Sequence, residues 1–331
     1  MFAEPSSPTI RIGISSCLLG QNVRYDGGHK HDRFLTDVLG KYVQFVPVCP
    51  EVEVGMGTPR EPIQLVAIGG EVRLLGVDSR VDHTAAMKRY ARKRVRQLAA
   101  LNLSGYVLKK DSPSCGMERV KVYRDDLTTG GRQPASGRPV RRGRGLFAEA
   151  LLKGLPNLPV EEEGRLGNLA LRENWIERVF AYQRLKAFWA SRWRIADLLA
   201  FHRAHKYALL AHAPRAYGEL GRLLTAANSL PRRTLRQKYE TAFMAALRRL
   251  ATPIGHANVL ESLAGPFIDR LDSQGRRELT QTIEDYRRGR VPLVMPQTLI
   301  AHHVRRLGIE SLSSQTYLNP NPVEFLLRNH A

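Results

Sequence analysis

The sequence predicts an α/β domain built on a mostly parallel sheet, followed by a mainly α-helical domain. Three observations predict this. Strand and helix signals alternate through the first third of the chain, each of the three cysteines follows a predicted strand, and past residue 165 the apolar residues fall at helical spacing with few strand signals. The chain has 331 residues, enough for two ordinary domains.

Ile10-Arg11-Ile12-Gly13-Ile14 alternates apolar with other residues and stops at Ser15-Ser16-Cys17, which reads as a strand running into a turn. Residues 31–39 place Phe34, Leu35 and Val38 at helical spacing and end at Gly40. Residues 42–48 form a β-branched and aromatic run that stops at Cys49-Pro50. Two strands, 63–68 and 71–75, flank Gly69-Gly70, the signature of a tight hairpin. Residues 82–100 read as a helix started by Asp82 or Thr84, and 106–109 as the next strand, running into Ser112-Pro113-Ser114-Cys115-Gly116. The Gly-, Pro- and Arg-rich stretch 128–145 reads as a long loop and 146–152 as the closing helix of a first domain, 1–155. Pro156-Asn157-Leu158-Pro159 and an acidic run after it make 156–165 the linker. In the helical domain, 166–331, Trp175, Trp189 and Trp193 are spaced as a core stripe, and a Pro- and Asn-containing tail follows at 317–322.

The 51 Lys and Arg outnumber the 31 Asp and Glu, a formal net charge of +20. A charge that large attracts polyanions, of which nucleic acid is the commonest in a cell. Residues 1–160 carry 25 basic and 15 acidic side chains and residues 161–331 carry 26 and 16, so the excess is shared. Arg89, Arg92, Lys93 and Arg96 follow helical spacing and make a basic stripe, while Arg138, Arg141, Arg142 and Arg144 crowd the predicted loop. In the second half Arg232, Arg233, Arg236, Lys238, Arg287, Arg288 and Arg290 recur. No run of about 18 apolar residues marks a membrane span. Residues 1–9 lack the pattern of a secretory signal, and three scattered cysteines do not make a disulfide scaffold. The expected compartment is the reducing cytoplasm.

Cys17, Cys49 and Cys115 lie 32 and 66 residues apart, each at or beyond the C-terminal end of a predicted strand. In an open parallel sheet those ends share one rim, where ligands bind. Three thiolates without a fourth would leave one iron of a four-iron cluster without a protein ligand. Zinc, with His29 or His31 as fourth ligand or with water, is the rival metal, and three buried thiols acting as small hydrophobes the reading without any metal. Glu51, two residues past Cys49, and Ser112, three before Cys115, face the same rim as a candidate proton carrier and assisting hydroxyl. Asp26 is a third candidate, in a turn on that rim. His202, His205 and His212 share no spacing with a carboxylate; hydrogen bonding or stacking to RNA, or core packing, suits them better than a metal.

Four stretches together resemble the bacterial thiouracil desulfidase family: Ile14-Ser15-Ser16-Cys17-Leu18-Leu19-Gly20; Val23-Arg24-Tyr25-Asp26-Gly27; Pro47-Val48-Cys49-Pro50-Glu51 with Gly57-Thr58-Pro59-Arg60; and Lys110-Asp111-Ser112-Pro113-Ser114-Cys115-Gly116. The resemblance implies a Rossmann-like domain whose Cys17, Cys49 and Cys115 hold a [4Fe-4S] cluster with one iron open to the substrate sulfur. It further implies that Glu51 is the acid–base group and Ser112 the assisting hydroxyl. The second half, with Phe201-His202-Arg203-Ala204-His205-Lys206-Tyr207, resembles the helical domain often fused behind this desulfidase domain. That arrangement implies a substrate of 4-thiouridine in transfer RNA. The expected RNA contacts are Arg89, Arg92, Lys93, Arg96, Arg141, Arg142, Arg144, His205 and Lys206.

Overall fold

The computed structural model describes residues 10–124 and 138–330. The chain divides into two compact units, Met1–Leu169 and Ala170–Ala331.

The first unit holds two four-stranded sheets. In one, β1 (Arg11–Ser15), β2 (Gln44–Val48), β5 (Gly105–Leu108) and β8 (Val160–Glu162) stand in the order β2-β1-β5-β8 and are all parallel. The chain leaves β1 to one side for β2 and returns to its other side for β5, so β1 and β5 flank a topological switch point. In the other sheet β3 (Ile63–Ile68) and β4 (Glu71–Gly76) form the expected hairpin, with Gly69 and Gly70 both at positive φ, as a type I′ turn requires. β6 (Val120–Arg124) runs parallel to β3 and pairs antiparallel with β7 (Val140–Gly143).

Helix α2 (Thr84–Ala100) buries Met87, Ala91, Val95 and Leu98 and leaves Arg89, Arg92, Lys93 and Arg96 exposed, as its spacing predicts. Met87 packs with Leu65, Leu74, Val120 and Leu146 into the core beneath the second sheet. Helix α3 (Leu146–Gly154) sends Phe147 against Tyr106 of β5 and Tyr90 of α2. Tyr106 lies over Gly13 so closely that a Cβ there would meet its ring at 2.2 Å. The short helices α1 (Pro50–Glu53) and α4 (Glu163–Leu166) follow β2 and β8.

Three sequence readings need correction. Residues 31–39 form a single π turn, Phe34–Val38, instead of a regular helix. Residues 140–143 of the predicted loop are strand β7, an edge strand whose polar residues mask its extended character; residues 128–137 lie outside the described residues. The 156–165 linker contains β8, buried along its length although Glu161 and Glu162 are acidic. Their carboxylates are satisfied there, Glu161 by Arg165 at 2.6 Å and Glu162 by the Met117 amide at 2.6 Å, which allows an acidic strand inside.

The second unit is helical: α5 (Leu169–Ala190), α6 (Ile195–Ala204), α7 (Lys206–His212), α8 (Pro214–Thr225), α9 (Arg232–Arg248), α10 (Pro253–Ala264), α11 (Ser273–Arg287), α12 (Val294–Arg306), α13 (Glu310–Ser313) and α14 (Pro322–Arg328). Trp175 and Trp189 are buried, and Trp193 packs against Trp189 and Phe188 at the core's edge. The tail is packed, with Tyr317 and Leu318 buried. A buried ionic network docks α14 onto α5: Arg328 reaches Glu173 at 2.9 Å and Glu177 at 3.7 Å, while Arg184 holds Glu324. No described helix is long and apolar enough to cross a membrane.

Two stability outcomes follow from this packing. Gly13→Ala should cost about 1–3 kcal/mol in chemical denaturation, because the added methyl must displace the Tyr106 ring in a filled interior. Arg328→Met should cost about 3–5 kcal/mol in the same measurement, because it removes the buried cation shared by Glu173, Glu177 and Glu324, leaving Glu177 to His212 and Glu324 to Arg184.

Candidate active site

Because β2, β1 and β5 are adjacent and parallel, their C-terminal ends open on one rim. Cys17 lies in the 3-10 turn Ser16–Leu19 that follows β1 and closes on Gly20 at φ 84. Cys49 directly follows β2, and Cys115 sits in the loop after β5. That loop is fixed from behind. The Gly145 amide donates to the Gly116 carbonyl, and the first amides of α3, on Leu146, Phe147 and Ala148, donate to the carbonyls of Pro113 and Ser114. Helix-terminal donors that would otherwise lack partners thus clamp the Cys115 loop. Gly145 is required at this contact: a Cβ would stand 2.3 Å from the Ser114 carbonyl oxygen.

All three cysteines are free, buried thiols lining one cavity of about 440 Å³. The volume lies in the usual range for small-ligand sites. Glu51 and Ser112 line it too. Ser112 Oγ accepts the amides of Ser114 at 3.2 Å and Cys115 at 3.0 Å, which directs its single proton to Glu51 Oε1, 3.3 Å away. The other carboxylate oxygen of Glu51 accepts from the Cys49 thiol at 3.5 Å. Glu53 faces away and braces the turn, accepting from the Cys49 amide and from Tyr90.

Burial, then the Glu51 carboxylate, pushes the Cys17 thiol up to about 11 and the Cys49 thiol up to about 12. The same two causes raise Cys115 well above the thiol range, against a hydrogen bond from Ser15. The donor set is therefore three thiols that stay neutral near pH 7 unless a positively charged group joins them. It fits such a group, with soft sulfur donors on one wall and room beside them. Among the described residues no three His, Cys, Asp or Glu side chains converge closely enough to hold one metal ion.

The structure brings Cys17, Cys49, Cys115, Glu51 and Ser112 together. It leaves Asp26 out. That carboxylate is exposed, paired with Arg24 at 3.1 Å and accepting the Gly28 amide, and the hydrogen bond from Arg24 holds it below the usual carboxylate range. Asp26 thus stabilises the turn that places Arg24 on the cavity wall. Neither His29 nor His31 lines the cavity; they pack edge to face, with His31 on Thr36.

His205 also departs from expectation. It is buried on Phe201 at 4.2 Å, donates from Nδ1 to the Phe201 carbonyl and accepts from Arg184 at Nε2, and burial pushes it down to about 3. It is a core residue, hidden from RNA. His202, stacked on Tyr217, and His212, held between Glu177 and the Arg249 carbonyl, are core residues as well. Lys206 folds over Tyr207. Arg89, Arg92, Lys93 and Arg96 are exposed but do not line the cavity. Arg141 pairs with Asp111, Arg142 is exposed beside a separate cleft, and Arg144 donates to the Met117 carbonyl.

Arg24, Arg60 and Lys110, which lie in the motif stretches, also line the cavity, and Lys30, Lys109, Lys121, Tyr123 and Gln64 line it without having been singled out from the sequence. Gln64 alone left a signal there, an isolated amide in the otherwise apolar run of β3.

Residues 12–163 match the family model described as 2-thiouracil desulfurase, and residues 206–322 match one described as a protein of unknown function (DUF1722). YbbK of Bacillus subtilis is 34% identical over 110 residues, 32% of this chain and 72% of that protein. YbgA of Escherichia coli is 29% identical over 153 residues, 46% of this chain and 90% of that protein. Among solved structures, the [4Fe-4S]-dependent thiouracil desulfidase TudS aligns with 34% identity and a TM-score of 0.38, over 50% of this chain and 97% of that one.

In the metal-free chain the raised thiols should resist alkylation. At pH 8 the Cys17 thiolate fraction is about a hundredfold below that of a thiol at 9.0, since its proton is lost only near 11. Mass-spectrometric timing of iodoacetamide uptake should therefore show slow native labelling that climbs with pH, and prompt labelling after denaturation.

Proposed function

The chain belongs, through residues 12–163, to the 2-thiouracil desulfurase family, and on that footing we propose that it removes sulfur from 4-thiouridine in transfer RNA, giving uridine and sulfide. One observation carries the reading: three buried thiols and the Glu51–Ser112 pair share a single cavity where three parallel strands end.

Cys17, Cys49 and Cys115 are the residues that would hold a [4Fe-4S] cluster. When bound, that cluster supplies an iron without a protein ligand, a Lewis acid soft enough for a thiocarbonyl sulfur. The chain's own groups handle the proton. With Cys49 ionised as a ligand, Glu51 Oε2 loses the thiol now donating to it and is left with a free lone pair. Ser112 keeps Oε1 oriented, because two backbone amides fix its hydroxyl. Glu51 then takes a proton from water as that water attacks the ring carbon, and returns it as sulfur departs. The balance is a thiocarbonyl plus water giving a carbonyl plus hydrogen sulfide, with no change of oxidation state.

Charge supports a polyanionic substrate. Arg24, Lys30, Arg60, Lys109, Lys110 and Lys121 line the cavity against Glu51 and Asp111. Of these Lys30, Lys110 and Lys121 are exposed and, among the described residues, in no ion pair. In the helical unit Arg233, Arg236 and Lys238 are likewise exposed on α9, next to Arg232 stacked on Trp193. Arg287, Arg288 and Arg290, by contrast, are neutralised by neighbouring carboxylates. A free base needs none of these cations.

The test is anaerobic reconstitution with iron and sulfide, followed by transfer RNA bearing 4-thiouridine. Loss of thiouridine absorbance should match sulfide release, vanish in Cys17→Ser, and fall about 10²–10⁴-fold in Glu51→Gln at equal cluster content. Turnover should also weaken steeply with salt, because phosphate contacts release counterions. Turnover of free thiouracil alone would keep the chemistry and discard the RNA substrate. Full activity in Glu51→Gln would remove that residue from its role.

A further inference from the structure

We propose that Gln64 is the residue that reads the base, donating a hydrogen bond to the oxo group that a thiolated uracil keeps beside its thiocarbonyl. The inference rests on the desulfidase reading and adds a recognition group to it. Gln64 is the second residue of β3, and by the two-residue repeat of a strand it shares a face with Val66 and Ile68, opposite the face on which Leu65 joins the core under α2. Its side chain lines the same cavity as the three thiols and the Glu51–Ser112 pair. It is only 8% exposed, and its Nε2 is sealed from solvent with no hydrogen-bond partner among the described residues.

The neighbours explain why no partner exists. Pro62, Ile63, Val77 and Val120 bring apolar wall to the cavity, and Leu75 is the residue opposite Gln64 on β4. A buried amide without a partner is destabilising, and an apolar side chain of similar length would fit this strand better in the absence of a ligand. The position is explained when a ligand brings the acceptor. Buried polar groups of this kind discriminate strongly, because a substrate lacking the matching atom leaves them unpaired in the complex as well. Three of the cavity's other polar side chains are already committed, and the unpaired Lys30, Lys110 and Lys121 are exposed where Gln64 is sealed from solvent. Ser112 is committed to Glu51, Arg60 to the carbonyls of Val23 and Gly57, and Lys109 to Glu163. Tyr123, which lies beside Val66 on the next strand and also lines the cavity, offers a ring face for the base.

A thiolated uracil has one carbonyl converted to thiocarbonyl and one carbonyl left. The remaining oxygen is a good acceptor and a sulfur in its place a poor one, so a monothio and a dithio base differ in the atom Gln64 would contact.

The experiment compares the cluster-loaded wild type with Gln64→Met, which keeps the length of the side chain and removes its polarity. Gln64→Asn, which keeps the amide but withdraws it, is the second variant. The substrates are 4-thiouracil and 2,4-dithiouracil, presented as base or within RNA, whichever form the wild type turns over. Gln64→Met should match the wild type in cluster content and unfold at the same or a higher temperature, because a buried unpaired group is gone. It should lose about tenfold in kcat/KM on the monothio base, mainly through KM, and its preference for monothio over dithio should shrink by the same factor. Gln64→Asn should shift both readouts in the same direction. Equal kcat/KM and an unchanged preference in both variants would overturn the role, as would a lowered unfolding temperature with the preference intact, which marks a structural residue. A wild type that releases sulfide from neither base in either form would overturn the desulfidase reading and this inference with it, and the silent wild type tells that failure apart.

Discussion

The parallel pairing of β2, β1 and β5 is the constraint on which the site depends. Neighbouring parallel strands must end on the same side, so whatever follows each of them meets its counterparts across a few strand widths. Cys17, Cys49 and Cys115 follow these three strands, and their loops need only short excursions to line one cavity. In an antiparallel arrangement at least one loop would emerge at the opposite edge. The close seat of Tyr106 on Gly13 belongs to the same constraint, since it sets how tightly β1 and β5 pack beneath the rim.

Holding three thiols and a carboxylate at buried positions sets electrostatics against itself. Burial and the Glu51 carboxylate both oppose ionisation of the cysteines, which favours neutral thiols in the metal-free site. The arrangement also keeps Glu51 aimed. Its two oxygens are held by different groups: one by Ser112, locked by two amides, and the other by the Cys49 thiol.

The helical unit solves a different problem. Its surface bears exposed cations on α9, while its interior hides charge inside the Arg328, Glu177, Glu324 and Arg184 network. Sequence spacing did not separate these two populations. His205 and Arg328 look as available to a phosphate as Arg236 does when read along the chain, yet the first two are buried and the third is exposed. Periodicity reports which face of a helix is apolar and is silent on whether a polar residue at the seam is covered by a neighbouring helix.

Local signals decided much by themselves. The alternation of β1, the Gly69-Gly70 turn and the apolar stripe of α2 each follow from backbone and side-chain preferences within a few residues, and all three appear as written in the chain. The cysteines were legible as a set because each sits where a strand stops, and strand ends are a local property. Tertiary structure decided the rest. The strand β8 has a sequence that reads as an acidic linker, and it is a strand because Arg165 and the Met117 amide satisfy its carboxylates inside the sheet. Asp26 left the site because Arg24 captured it, and Gln64 entered because β3 turns its face to the cavity. Some of these partners are near in sequence, as Arg24 is to Asp26 and Arg165 to Glu161, and others remote, as Met117 is to Glu162; in each case a polar side chain's role is set by the groups that meet it in the fold.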